Sequence, residues 1–183
     1  MNVRGNVVSG IDDFVKNKFT DKYDLWYDAM SDESKEVYSK VLSSKWYPVE
    51  HAVIDPTRIM CAMFYHNERK GAWESGRYSA EVALTGVYKI FVLVSKPSFI
   101  IKRAGRMLPT FYDPTEIHLV ESTNNSMVVH ITVLPVKDRI IEYRIAGWME
   151  KAMEICGCKN LKVTLPTSIA AGDRFTEIRM AWD

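Results

Sequence analysis

The chain has 183 residues, 47% of them apolar, enough for one globular domain with a sizeable core. Its 24 basic residues against 23 acidic ones leave a net charge of +1, which removes the electrostatic basis for nucleic acid or an anionic membrane as the principal partner. No apolar run reaches the ~20 residues that span a bilayer, and the longest, near Val87 to Val94, is interrupted by Lys89.

Met1 to Gly10 carries one arginine and no apolar stretch of signal-peptide length. The three cysteines, Cys61, Cys156 and Cys158, lack the spacing of a disulfide framework, which points to a reducing, cytoplasmic setting. Five Trp, nine Tyr, seven Phe and nine Met supply large side chains that serve equally to fill a core or to line a cavity.

The first predicted helix runs from about Val7 to Lys18, with Val8, Ile11, Phe14 and Val15 on one face. A short helix follows from Lys22 to Met30. Ser31 then reads as an N-cap, with Asp32 and Glu33 where the helix dipole favours negative charge, for a helix to about Ser43. Trp46-Tyr47-Pro48-Val49 reads as an irregular connector, because Pro48 disfavours helix at Tyr47. Helix resumes from Glu50 to His66, with a kink or restart at Asp55-Pro56, where Asp55 would cap. Gly71 breaks the pattern, and a long helix spans about Ala72 to Val94. Gly76 and Gly86 inside it mark a kink or a close packing contact. Pro97 opens a helix from Ser98 to Met107, which Pro109 stops.

Beyond residue 113 the period changes. Glu116 to Thr123 and Ser126 to Leu134 read as a hairpin turning at Asn124-Asn125. Lys137 to Cys156 is helical: Ile141, Ile145, Trp148, Ala152 and Ile155 form one stripe, and Gly157 ends it. Lys159 to Pro166 and Asp173 to Trp182 alternate as strands. The fold class is therefore α+β, a helical half (residues 1–112) followed by a β-β-α-β-β four-stranded antiparallel sheet (residues 113–183). The interposed helix covers one sheet face and leaves the other for the N-terminal helices or a ligand.

Several motifs in this order resemble one superfamily. Val3-Arg4-Gly5-Asn6-Val7-Val8 with Ile11, Phe14, Val15 and Phe19 is similar to the first helix of the heme nitric-oxide/oxygen-binding domains. Tyr47-Pro48 is similar to their Tyr-Pro connector. Leu108-Pro109 and Asp113-Pro114 resemble the stretch before their first strand. The helix Tyr143 to Cys158 and the final Glu177-Ile178-Arg179-Met180-Ala181-Trp182 look closer to myxobacterial proteins of similar length. The same superfamily includes the four-vinyl-reductase-type ligand-binding domains and the TRAPP vesicle-transport subunits. The resemblance bears on fold more than on function, because ligands differ across the superfamily. It implies an axial histidine on the helix before Leu108-Pro109 and a Tyr-x-Ser-x-Arg motif gripping heme propionates. Ser98 to Met107 contains no histidine and that motif is absent, so a heme cofactor is not expected.

Other chemistry is sparse. His51, His66, His118 and His130 lack zinc-ligand spacing, and a hairpin turning at Asn124-Asn125 would set His118 and His130 on opposite faces. Cys156-Gly157-Cys158 lies at a helix C-terminus, the wrong end to lower a thiol pKa. It reads as a core cysteine and a loop cysteine, with a strained disulfide or a metal pair as the alternatives. Lys102 and Arg106 share a helix face without an acidic partner, which suits a carboxylate or phosphate as well as a solvated face. No nucleophile elbow, phosphate loop or paired-carboxylate signature occurs.

The expected function is a heme-free sensory or small-molecule-binding domain without catalysis and without a metal. It would take an apolar or amphipathic ligand between its halves and signal through a protein partner. Expected wall residues are Phe64, Tyr78, Tyr88, Phe91, Phe99, Phe111 and Trp148, with Lys102 and Arg106 for an anionic group. The alternative is an interaction subunit that works as a homodimer or in a complex without a ligand.

Overall fold

A computed structural model of the chain describes residues 1–85 and 97–183. The chain starts in strand β1 (Asn2–Arg4) and enters helix α1 (Gly5–Lys18), which buries the predicted Val8, Ile11, Phe14 and Val15. Helices α2 (Tyr23–Asp28) and α3 (Asp32–Ser39) follow. Ser31 does cap α3, its hydroxyl accepting from the Ser34 amide. Trp46-Tyr47-Pro48 is not irregular. It forms β2 (Trp46–Pro48), and β1 pairs with it and with β3 (Tyr112–Asp113) in a three-stranded sheet.

The Asp55-Pro56 step produces no restart. Helix α4 (Asp55–Met60) continues directly from a π-helical turn (Glu50–Ile54) and into another (Cys61–Tyr65). Such wider turns absorb a proline without breaking the backbone path. The Asp55 carboxylate accepts from the hydroxyls of Ser31 at 2.9 Å and Ser34 at 2.7 Å, joining α4 to α3 instead of capping its own helix. Helix α5 (Glu68–Thr85) begins earlier than predicted and takes Gly71 into its first turns. A Cβ there would lie 2.5 Å from the Cys61 Sγ, so the glycine is set by close packing and not by a break. The expected continuation of this helix to Val94, including Gly86, lies outside the described residues.

Helix α6 (Pro97–Met107) leads into the four-stranded antiparallel sheet of β4 (Glu116–Ser122), β5 (Ser126–Val133), β6 (Lys162–Thr167) and β7 (Thr176–Ala181). The strand order is β4-β5-β7-β6, and helix α7 (Arg139–Ile155) lies between β5 and β6 in the chain. Asp138 caps α7, and Gly157, at φ +91°, ends it as the sequence predicts. The architecture is α+β as expected.

Helix α7 is the middle layer. Its sheet side carries the fully buried Glu142, whose carboxylate accepts from the Ser168 hydroxyl at 2.5 Å, from the Thr176 hydroxyl and from the Ala170 amide at 3.2 Å. These bonds span the α7–sheet interface and compensate the buried charge. The opposite side of α7 crosses α5 at very short range. A Cβ on Gly76 would lie 2.8 Å from the carbonyl carbon of Arg144, and one on Gly147 would lie 2.9 Å from that of Trp73. Gly76 thus marks a close contact, one of the two roles its position predicts. The helical half packs on α7 and not on the free sheet face. Along β5, Met127, Val129 and Ile131 are buried, while His130 and its neighbours point away with the exposed His118 and Arg179.

One cluster of buried apolar side chains runs through both halves, from Val8 and Trp26 to Met153 and Ile178. Trp26 donates its indole N–H to the Pro56 carbonyl at 2.9 Å, and Tyr38 its hydroxyl to the Ala52 carbonyl at 3.1 Å, so both buried aromatics are satisfied. No helix among the described residues is long and apolar enough to cross a membrane.

Candidate functional site

Where α1 and α5 face α6 and α7, they leave a cavity of about 920 Å³. Helix α1 contributes Asn6, Val7, Ser9, Gly10 and Asp13. Helix α5 contributes Gly76, Tyr78, Ser79 and Val82 to Leu84. The far wall is Phe99, Ile100, Arg103 and Met107 of α6, with Phe111 and Tyr112 beyond it. The floor is Arg144, Ile145, Trp148 and Met149 of α7. Of the sheet, Ile117 of β4 reaches the cavity. Val82 and Phe99 are 59% and 56% exposed, large apolar side chains left open to solvent at its edge. An apolar concavity of this size with few polar groups is the ordinary form of a small-molecule site.

Among the predicted wall residues, Tyr78, Phe99, Phe111 and Trp148 border this cavity. Tyr78 is oriented by Asn17, which donates to its hydroxyl at 2.8 Å. Phe64 stacks on Phe19, with ring centroids 4.2 Å apart, and belongs to the core instead. Lys102 and Arg106 are exposed and do not border the cavity, to which α6 contributes Phe99, Ile100, Arg103 and Met107 instead. Tyr88 and Phe91 lie outside the described residues. Sequence reasoning missed Arg144. The signal for Arg144 was present: it is a charge immediately beside Ile145 and four residues before Trp148, inside the apolar stripe of α7.

Around this floor, α5 and α7 are clamped on their outer side. Arg77 pairs with Glu150 and, at 2.8 Å, with Glu154, and the Trp73 indole donates to Glu150 at 2.7 Å. Cys61 is buried behind α5; desolvation, reinforced by the nearby Glu68, pushes its thiol up to about 12. Desolvation also pushes Cys156 up to about 11 and raises Cys158, so all three are thiols near neutral pH.

The histidines are placed differently from expectation. His118 pairs directly with His130 across β4 and β5, so both lie on one face. A bulge between Leu119 and Glu121 inserts Val120 and shifts the register by one over Ile117 to Leu119, until a second irregularity between Glu116 and Ile117 restores it. His130 stacks on Phe175 at 4.1 Å between ring centroids and shares a 2.8 Å hydrogen bond with Glu177. None of the four histidines borders the cavity, and no cysteine does. Among the described residues no three His, Cys, Asp or Glu side chains gather as metal ligands.

No protein-family model matches the sequence, and no curated protein matches it. Solved structures do match in fold. An Fe(II) unliganded H-NOX protein from K. algicida superposes with a TM-score of 0.73 at 12% identity, covering 98% of this chain and 96% of that one. An H-NOX protein from S. oneidensis in the Fe(II)NO ligation state gives 0.75 at 10% identity, over 98% and 99%. A T. tengcongensis H-NOX mutant gives 0.65 at 9% identity, over 98% and 97%. The chain therefore has the H-NOX fold. The lining of its cavity does not fit a histidine-ligated heme, because α6, the helix before Leu108-Pro109, presents Phe99, Ile100, Arg103 and Met107 there.

Proposed function

We propose that this protein is a heme-free sensory domain. It binds a small apolar or amphipathic molecule in the cavity between α1, α5, α6 and α7, and reports its ligand state by contact with another protein. The observation that carries the reading is the cavity itself, about 920 Å³ within an otherwise close-packed fold. Its floor is the α5–α7 crossing, so occupancy acts on the seam that joins the two halves. The fold shared with an H-NOX protein solved in an Fe(II)NO ligation state supports a ligand-binding assignment, and the absence of histidine from the lining argues for a ligand held without iron. The protein performs no catalysis in this reading.

The uncharged dye Nile red tests it. The wild-type protein gives a saturable fluorescence increase at one site. Ala83→Trp, which fills the cavity wall, weakens binding at least tenfold with the melting temperature retained. The same substitution at Val120, exposed on the sheet bulge, leaves binding unchanged. Equal binding by all three proteins, or none by the wild type, removes the cavity as the site.

A further inference from the structure

The apolar walls do not explain why the cavity floor contains an arginine. Arg144 is 3% exposed and borders the cavity. Its Nη1 donates to the Ser75 hydroxyl, its Nε has no hydrogen-bond partner, and it forms no ion pair among the described residues. The acid in the cavity lining is Asp13, which is exposed on α1 and forms no ion pair with Arg144; other acids of the neighbouring helices are engaged elsewhere. Asp55 accepts from Ser31 and Ser34, and Asp12 from Lys16 and Tyr23. Glu142 is held by Ser168 and Thr176, and Glu150 by Arg77 and Trp73.

A guanidinium does not discharge by losing its proton. A buried charge without a counter-charge is strongly unfavourable, and an apolar side chain of similar volume packs better in such a place. Arg144 therefore lacks one component, an anion arriving from the side of the molecule where there is space. That side is the cavity. Arg103 also borders it but is exposed, so water already solvates its charge.

We propose that the ligand is an amphipathic carboxylate, a medium- or long-chain acid. Its carboxylate accepts hydrogen bonds from the Arg144 guanidinium at the buried end, and its chain lies along Ile145 and Trp148 towards Val82 and Phe99 at the exposed edge. This inference rests on the reading of the cavity as a binding site, and its test separates the two.

Dodecanoate and dodecanol are titrated by calorimetry, below the concentration at which either aggregates, into the wild-type protein, Arg144→Met and Arg103→Met. Thermal melts establish that each variant is folded. The wild type binds dodecanoate at least about tenfold more tightly than dodecanol. Arg144→Met binds both equally, whereas Arg103→Met still binds dodecanoate more tightly than dodecanol. Equal binding of both compounds by the wild type overturns the anionic ligand while leaving the cavity reading in place. A preference lost in Arg103→Met and kept in Arg144→Met overturns the assignment to Arg144. Failure of both compounds to bind the wild type overturns the cavity reading as well.

Discussion

Gly76→Ala changes one hydrogen into a methyl group at the tightest point between the helical half and the rest of the molecule. In an unencumbered helix the change stabilises by about 1 kcal/mol, because alanine loses less backbone entropy on folding. Here the new Cβ would lie 2.8 Å from the Arg144 carbonyl carbon and nearer still to its oxygen. The obstacle is backbone held in a helix, so no rotamer change relieves it. Helices α5 and α7 must part by about 1 Å, which forfeits a quarter to a half of the dispersion attraction along their seam. Overpacking of this kind costs typically 1–3 kcal/mol, and set against that gain the balance is a net loss of about 1 kcal/mol, or about 2–4 °C in Tm for a chain of this size. Gly10 is the internal control. It lies within α1, where a Cβ meets only the Ser79 hydroxyl at 4.0 Å, so Gly10→Ala gains up to about 1 kcal/mol. Urea unfolding of both variants followed by circular dichroism measures the contrast. If Gly76→Ala is as stable as wild type, or if the two variants shift together, the close crossing is wrong.

Asp55→Ala leaves the fully buried Ser34 hydroxyl without its acceptor and costs about 1–3 kcal/mol in urea unfolding; an unchanged midpoint refutes the α3–α4 link. Glu177 is held below its ordinary value near 4.5 by its hydrogen bond to His130 and by the Arg179 guanidinium, against the opposing effect of burial. Its contribution is therefore complete above that value and is lost as pH falls through the lower folded value. The Tm difference between wild type and Glu177→Gln should shrink between about pH 6 and about pH 3, and a constant difference contradicts the pairing. In native protein at about pH 8, iodoacetamide should modify Cys61 more slowly than Cys158, with the difference abolished in urea. Mass mapping that finds Cys61 reacting first would show that it is not behind α5.

Much of this fold was legible because most of its elements are long enough to display a period. The stripe of α7 and the apolar face of α1 appear in the structure as buried surfaces, and Ser31, Asn124-Asn125 and Gly157 punctuate the chain where their chemistry requires. What stayed illegible depended on partners distant in sequence. Strands β1 and β2 have three residues each, too few to alternate, and exist because they pair with each other. The Asp55-Pro56 step looked like a helix start because local capping chemistry was the only partner visible to sequence, whereas the carboxylate serves α3. The bulge at Val120 carries no glycine to announce it, and one inserted residue brought His118 and His130 together. At the site, aromatics read as cavity walls divided by helix facing: Tyr78 and Trp148 line it, and Phe64 is taken by Phe19. Arg144 was overlooked because an arginine in a helix is ordinarily solvated, and only the crossing with α5 buries it.

Native mass spectrometry of gently purified protein, with an absorption spectrum of the same sample, tests the heme-free binding reading most directly. The reading predicts the chain mass plus a small apolar or amphipathic organic molecule, with no heme absorption band. A heme band accompanied by the heme mass, or a bare chain whose mass does not shift on addition of dodecanoate or dodecanol, would contradict it.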